Sequence, residues 1–182
     1  RLAQQFPQGI VACVAAPHAY DEGDGFQWYS HRGENDDNRT ERLLPARLEF
    51  SATVRAWQRH TGLGPERTAL LCFAQSATVA LETVALEQDL AARLFAVAGR
   101  FDRLPEAMHQ HTCIHWLHGK DDDVMPYQAA VEAGYRLRQL DADFSVDVFP
   151  ATGHGVTEDM EQRIFHLLAN YVPLRLWRQA MA

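Results

Sequence analysis

Five short apolar segments punctuate the chain and read as buried strands: Ile10 to Ala16, Thr68 to Phe73, Leu94 to Ala98, Cys113 to Leu117 and Phe144 to Phe149. Helical periodicity fills the spaces between them. Leu43, Leu44, Leu48, Val54 and Trp57 mark one helix, which Pro45 must start or kink because its ring removes a backbone donor. Ala77 to Glu87 is a second, and Val131, Tyr135 and Leu140 mark a third. Met160, Ile164, Leu167, Leu168 and Tyr171 form a clean apolar stripe for the last. Strands that are apolar throughout, alternating with helices, predict an α/β fold: a mainly parallel sheet covered on both faces. The polar, glycine-bearing stretch from Asp21 to Arg39 reads as a long loop, and long loops in compact domains often carry function.

Composition narrows this picture. With 182 residues, 47% of them hydrophobic, the chain suits a single domain over residues 1–182 with a real core. A net charge of -7 supplies no basic patch for nucleic acid. No apolar run approaches the roughly 20 residues that span a membrane. Cys13, Cys72 and Cys113 lie inside strand-like runs and are expected to be buried free thiols in a reducing, cytoplasmic setting rather than a disulfide framework. The chain opens at Arg1 without an initiator methionine, so it is expected to be N-terminally incomplete and a signal peptide cannot be judged.

Parallel sheets place their chemistry beyond the carboxyl ends of the strands. Cys72-Phe73-Ala74-Gln75-Ser76 sits between a strand and a helix, the setting of a G-x-S-x-G nucleophile elbow, but both glycines and the serine are replaced. After Leu117 comes His118-Gly119-Lys120-Asp121-Asp122-Asp123, and after Phe149 comes Pro150-Ala151-Thr152-Gly153-His154-Gly155. Small residue, acid, histidine is the chain order of the α/β-hydrolase triad, with alanine where serine belongs.

The same residues carry a family resemblance. Gln27-Trp28-Tyr29-Ser30 matches a Q-W-F-S loop, Val54-Arg55-Ala56-Trp57-Gln58 a V-R-Y-W-Q helix, and Cys72 to Ala77 a G-F-S-Q-G-A elbow. Gly99-Arg100-Phe101, Leu104-Pro105-Glu106 and Ile114-His115 also have counterparts, as do Asp122-Asp123-Val124 (D-P-V) and Gly153-His154 (G-H). In this order they resemble the phospholipase/carboxylesterase family of α/β-hydrolases, most closely its small bacterial esterases of the YpfH type. The resemblance implies an α/β-hydrolase-like fold and carboxylic ester hydrolysis without a cofactor. It implies Asp122 as triad acid, His154 as base, Ala74 at the substituted nucleophile position and the Gln75 N–H as oxyanion donor. Trp28, Phe26 and Met125 are candidates for the acyl-pocket wall, and Trp28 equally for a core anchor.

Two departures set the expectation for function. Removing a nucleophile costs on the order of 10⁶-fold in turnover, roughly 8 kcal/mol of barrier. The family's opening strand, whose L-x-H-G loop supplies half of the oxyanion hole, is absent, and its place lies between the segments Ile10–Ala16 and Thr68–Phe73. The leading reading is therefore an esterase homologue that is inactive here. The alternatives are an active esterase represented by an inactivated or truncated chain, and a non-catalytic binding or structural subunit. A small ester or acyl compound is the expected ligand, and a second copy or a partner chain could supply the missing strand. Ser76 as a replacement nucleophile competes with a plain role as a hydroxyl capping backbone N–H groups at the helix start. Cys72 is most simply a small core residue. His109, His111, Cys113 and His115 alternate as metal ligands on one strand face would, against the simpler reading of a polar entry to a core strand; no metal is expected.

Overall fold

The computed structural model describes residues 1–181. A short helix, α1 (Leu2–Gln5), leads through residues 10–16, which have no regular secondary structure, to a two-stranded antiparallel hairpin, β1 (His18–Ala19) and β2 (Phe26–Gln27). The long helix α2 (Arg39–Thr61) follows. From there strand and helix alternate: β3 (Ala69–Phe73), α3 (Gln75–Leu86), β4 (Arg93–Val97), β5 (Cys113–Gly119), α4 (Gln128–Gln139), β6 (Phe144–Phe149), α5 (Glu158–Asn170) and α6 (Leu174–Met181).

The four later strands form one parallel sheet in the order β3-β4-β5-β6, each beside its neighbour in sequence. Because successive strand residues point to opposite faces, the central strands β4 and β5 feed two cores. Leu94, Ala96, Ile114 and Trp116 belong to the larger cluster, with Leu81 of α3 and Leu137 of α4. Phe95, Val97 and Leu117 face the other way, onto Met160, Ile164 and Leu167 of α5. Burial on both faces suits the largely apolar runs of the central strands β4 and β5, whereas β3 leaves Ala69, Leu71 and Phe73 exposed and β6 is half-buried and carries Ser145 and Asp147.

Of the expected stripe on α5, Met160, Ile164 and Leu167 are buried, and Leu168 and Tyr171, the latter just past the helix end, pack half-buried against the same core. Thr157 caps it by accepting from the Met160 N–H, and Glu158, Asp159 and Glu161 fill its first turn, where the helix dipole favours negative charge. Other helical faces differ from expectation. In α2 the buried set is Leu43, Ala46, Phe50 and Val54, spaced three or four apart, while Leu44 and Leu48 lie exposed. Pro45 neither starts nor ends that helix, which begins at Arg39 and runs on to Thr61. In α4 the buried face is the small-residue one, Ala130, Ala133 and Gly134 with Leu137, while Tyr135 is exposed. A Cβ on Gly134 would lie 3.2 Å from a Val146 methyl, so small side chains let α4 lie close on the sheet.

The clearest correction concerns residues 10–16. They form no strand, and Ile10, Val11 and Val14 are exposed. A strand needs a neighbour for its N–H and C=O groups. Among the described residues β3 pairs only with β4, so its outer edge is open and nothing bridges it to residues 10–16. A cavity of about 270 Å³ lies there instead, lined by Ile10, Ala12 and Val14 and by Leu71, Cys72 and Ser76. For the same reason Cys13 is exposed, contrary to expectation, whereas Cys72 and Cys113 are buried free thiols.

Candidate active site

The elbow is built by the end of β3 and the start of α3. Ala74 stands between them at φ 52° and ψ -117°, a left-handed conformation that costs a residue with a Cβ of order 1 kcal/mol or more. Its N–H donates to the Val97 carbonyl (2.9 Å) and its carbonyl accepts from the Thr78 N–H (3.0 Å), so both sides of the turn are fixed. A side chain at position 74 is thereby thrust into a cavity of about 400 Å³ that His154 and Met125 also line. The N–H of Gln75 is the first of α3 and has no acceptor within the helix, which leaves it available to a ligand oxygen.

Two further loops deliver the acid and the histidine. The loop after β5 carries Asp122 and the loop after β6 carries His154. They are zipped together by Lys120 N–H to Phe149 O and Asp121 N–H to Thr152 O, both 2.8 Å. Gly119 is the contact point: a Cβ there would lie 2.4 Å from the Thr152 carbonyl oxygen and 2.5 Å from that of Gly153. Across this junction His154 Nδ1 meets Asp122 Oδ2 at 2.9 Å and Oδ1 at 3.1 Å. The Asp122 side chain is fully buried and also accepts from the N–H groups of Val124 (3.0 Å) and Met125 (2.8 Å). Burial pushes the Asp122 carboxyl up, but the Met125 N–H, the His154 ring and the Val124 N–H together outweigh it and hold it below the usual carboxylate range. An ionised Asp122 fixes the tautomer with hydrogen on Nδ1 and leaves Nε2 as the free acceptor of the ring. The ring of Phe73 packs on that of His154, with centroids 4.9 Å apart.

The other singled-out residues fall into place around this pair. Gln75 does more than offer its N–H. Its side chain accepts from the Trp28 N–H (2.8 Å) and donates to the Tyr29 carbonyl (2.8 Å) and to His31 Nε2 (3.1 Å), pinning the 28–31 loop to the elbow. Met125 lines the cavity beside His154. Trp28 is buried against Phe50, ring centroids 5.1 Å apart, and lines the cavity beside the open edge rather than this one. Phe26 is exposed and lines neither. The Ser76 hydroxyl turns back on the strand, donating to Phe73 O (2.7 Å) and accepting from Phe73 N–H (3.0 Å). It thus ties the strand end and caps no helix N–H. Burial pushes the Cys72 thiol up to about 12, so it stays protonated.

His118 is a site neighbour that the motif reading passed over. Fully buried, it donates from Nε2 to the Met125 carbonyl (2.6 Å) and lies 3.5 Å from Asp122 Oδ2. Burial lowers its pKa and keeps the ring neutral. Its signal in the sequence was the position four before Asp122 at the end of an apolar strand.

The alternating His109, His111, Cys113 and His115 do not converge. His109 bonds Gln88 and His111 faces Asp89, whereas Cys113 and His115 are interior. Among the described residues no three potential ligands cluster around a point. Cys113 and His115 touch at 3.5 Å, but burial raises the thiol and, first by desolvation and then through Arg93, lowers the imidazole to about 4. The two neutral groups form part of the core, not a nucleophile and its base.

Comparison with known proteins fits this geometry. The profile of the Phospholipase/Carboxylesterase family matches residues 6–171. Esterase YpfH of Escherichia coli (strain K12) is 33% identical over 181 residues, covering 100% of this chain and 78% of that protein. The crystal structure of esterase PE8 superposes with a TM-score of 0.84 at 23% identity, over 93% of this chain and 81% of that one. A carboxylesterase from Mesorhizobium loti gives a TM-score of 0.79 at 13% identity, over 93% and 79%. At these identities the structures establish the α/β-hydrolase-like fold.

Proposed function

Because the chain belongs to the phospholipase/carboxylesterase family of hydrolases, we propose that it binds a small ester or acyl compound at the Ala74 elbow but does not open it through a covalent intermediate. The observation that carries this reading is the hydrogen-bonded Asp122–His154 pair facing a cavity whose elbow holds alanine. A ligand carbonyl would set its oxygen on the Gln75 N–H, with its carbon above Ala74. His154 Nε2 would then find no hydroxyl proton to take, and a methyl group cannot form the acyl bond. Binding survives this loss because the cavity, the N–H donor and the Tyr20, Tyr29 and Met125 side chains that line it do not depend on the missing oxygen.

The test is an assay of short-chain p-nitrophenyl esters with NMR of the His154 ring. Ring shifts on ester addition with hydrolysis at the buffer rate are expected. Robust turnover by the unmodified chain, abolished by His154→Ala, overturns the proposal.

A second reading is favoured by the open edge of β3 and the apolar cavity beside it. In it, a second copy or a partner chain lays an extended strand between β3 and residues 10–14, satisfying the backbone groups of both. Light scattering decides the matter: a clean monomer with an intact fold counts against it. In either reading the chain works as a single domain, requires no cofactor and sits in a reducing compartment such as the cytoplasm. The protonated, buried Cys72 and Cys113 favour that setting. Among the described residues no helix is long and apolar enough to cross a membrane.

A further inference from the structure

The cavity at the elbow holds two arginines in different electrostatic states. Arg39 is saturated: its guanidinium meets Glu34 at 2.7 Å, Asp36 at 2.7 Å and Asp102 at 3.5 Å. Glu34 is further engaged by His31 Nδ1 at 3.2 Å. Arg100 lines the same cavity, and among the described residues its guanidinium has no hydrogen bond and no ion pair. Asp36 is exposed, and its carboxylate pairs with Arg39 rather than with Arg100.

The backbone under Arg100 is held as firmly as the elbow itself. Its N–H donates to Thr78 Oγ1 (3.2 Å) on the first turn of α3. The preceding Gly99 is pressed so close that a Cβ there would lie 2.6 Å from the Ala77 Cβ. One residue earlier, Ala98 N–H donates to Leu117 O (3.0 Å). The end of β4 is therefore docked rigidly on the helix that Ala74 begins, which fixes the base of the Arg100 side chain relative to the elbow. An unpaired guanidinium carried on this fixed backbone suits a planar anion, because its planar fork offers paired donors. Tyr29 lines the cavity too and adds a hydroxyl donor, since burial and then the charge on Glu34 push it up to about 12 and keep it protonated.

We propose that Arg100 is a specificity-determining residue that selects ester or acyl ligands bearing a second, free carboxylate. The inference rests on the ligand-binding reading above and adds the chemical class of the ligand.

The test compares monobutyl succinate with butyl levulinate, in which an acetyl group replaces the free carboxylate. Dissociation constants are measured on the full chain by calorimetry and by the His154 ring shifts. The anionic ester is expected to bind at least about tenfold tighter, with an advantage that shrinks as sodium chloride is raised. Arg100→Gln should erase that advantage, weakening monobutyl succinate far more than butyl levulinate. Arg100→Lys should restore part of it. Equal affinity for the two esters, or a preference untouched by Arg100→Gln, overturns the inference while leaving the ligand-binding reading intact. Failure of both esters to move the His154 ring overturns both.

Discussion

Returning a hydroxyl to the elbow measures how much of the hydrolytic apparatus this chain retains. Ala74→Ser adds one oxygen to a Cβ already held at φ 52°, so it introduces no new backbone strain. The base stands ready, since Asp122 holds the His154 ring through a 2.9 Å bond to Nδ1. Loss of a serine nucleophile costs about 10⁶-fold. Full recovery is not expected, because Gln75 N–H is the one backbone donor described at the elbow, and an oxyanion held by one donor instead of two loses about 10²–10³-fold. The net expectation is a gain of about 10³–10⁴-fold over the unmodified chain, or about 4–5.5 kcal/mol of barrier. Initial rates on p-nitrophenyl butyrate give the number, and intact-mass spectrometry should find one added butyryl group under single-turnover conditions. The double variant Ala74→Ser, His154→Ala should lose the gain. A folded Ala74→Ser protein with neither rate nor acyl adduct would refute the claim that elbow and acid–histidine pair remain aligned.

Three further outcomes follow from the same geometry. Ala74→Gly should stabilise the fold by about 0.5–1 kcal/mol in urea denaturation, because glycine adopts positive φ without the Cβ penalty, set against its greater unfolded-state entropy. Gly119→Ala should destabilise by about 1–3 kcal/mol, since contacts of 2.4 and 2.5 Å to two carbonyl oxygens force the loops apart; the change should also weaken the His154–Asp122 bond, seen as faster exchange of the Nδ1 proton. Because folding lowers the Asp122 pKa, its contribution to stability is present above the unfolded carboxylate value of about 3.9 and is lost as pH falls through the lower folded value. Denaturation of the Asp122→Asn variant across that range should show a shallower acid loss than the parent, and parallel curves would contradict this.

Much of this was written in the chain, and the physics says which part. Strands that feed a core are rich in apolar residues, the central β4 and β5 most of all because both of their faces are covered, so four of the five expected strands stand within a residue or two of their assigned bounds. The stripe of α5 was legible because one wide apolar face meets one sheet face. Acid and histidine were legible because parallel strands bring their carboxyl ends to one rim, so that chain order maps onto space. What the sequence could not decide were properties that belong to pairs of elements. Residues 10–16 have the composition of a strand, but a ladder needs a partner and the edge beside them is open. On α2 and α4, large apolar residues suggested the buried faces, yet close approach to the neighbouring layer selected Ala46 over Leu48 and Gly134 over Tyr135. The grip of Gln75 on the 28–31 loop, the neutral His118 behind Asp122 and the unpaired Arg100 all depend on which side chains meet across loops distant in sequence. Periodicity and chain order are local or topological and can be read along one dimension. Pairing, burial of charge and the shape of a cavity are set only when the layers close.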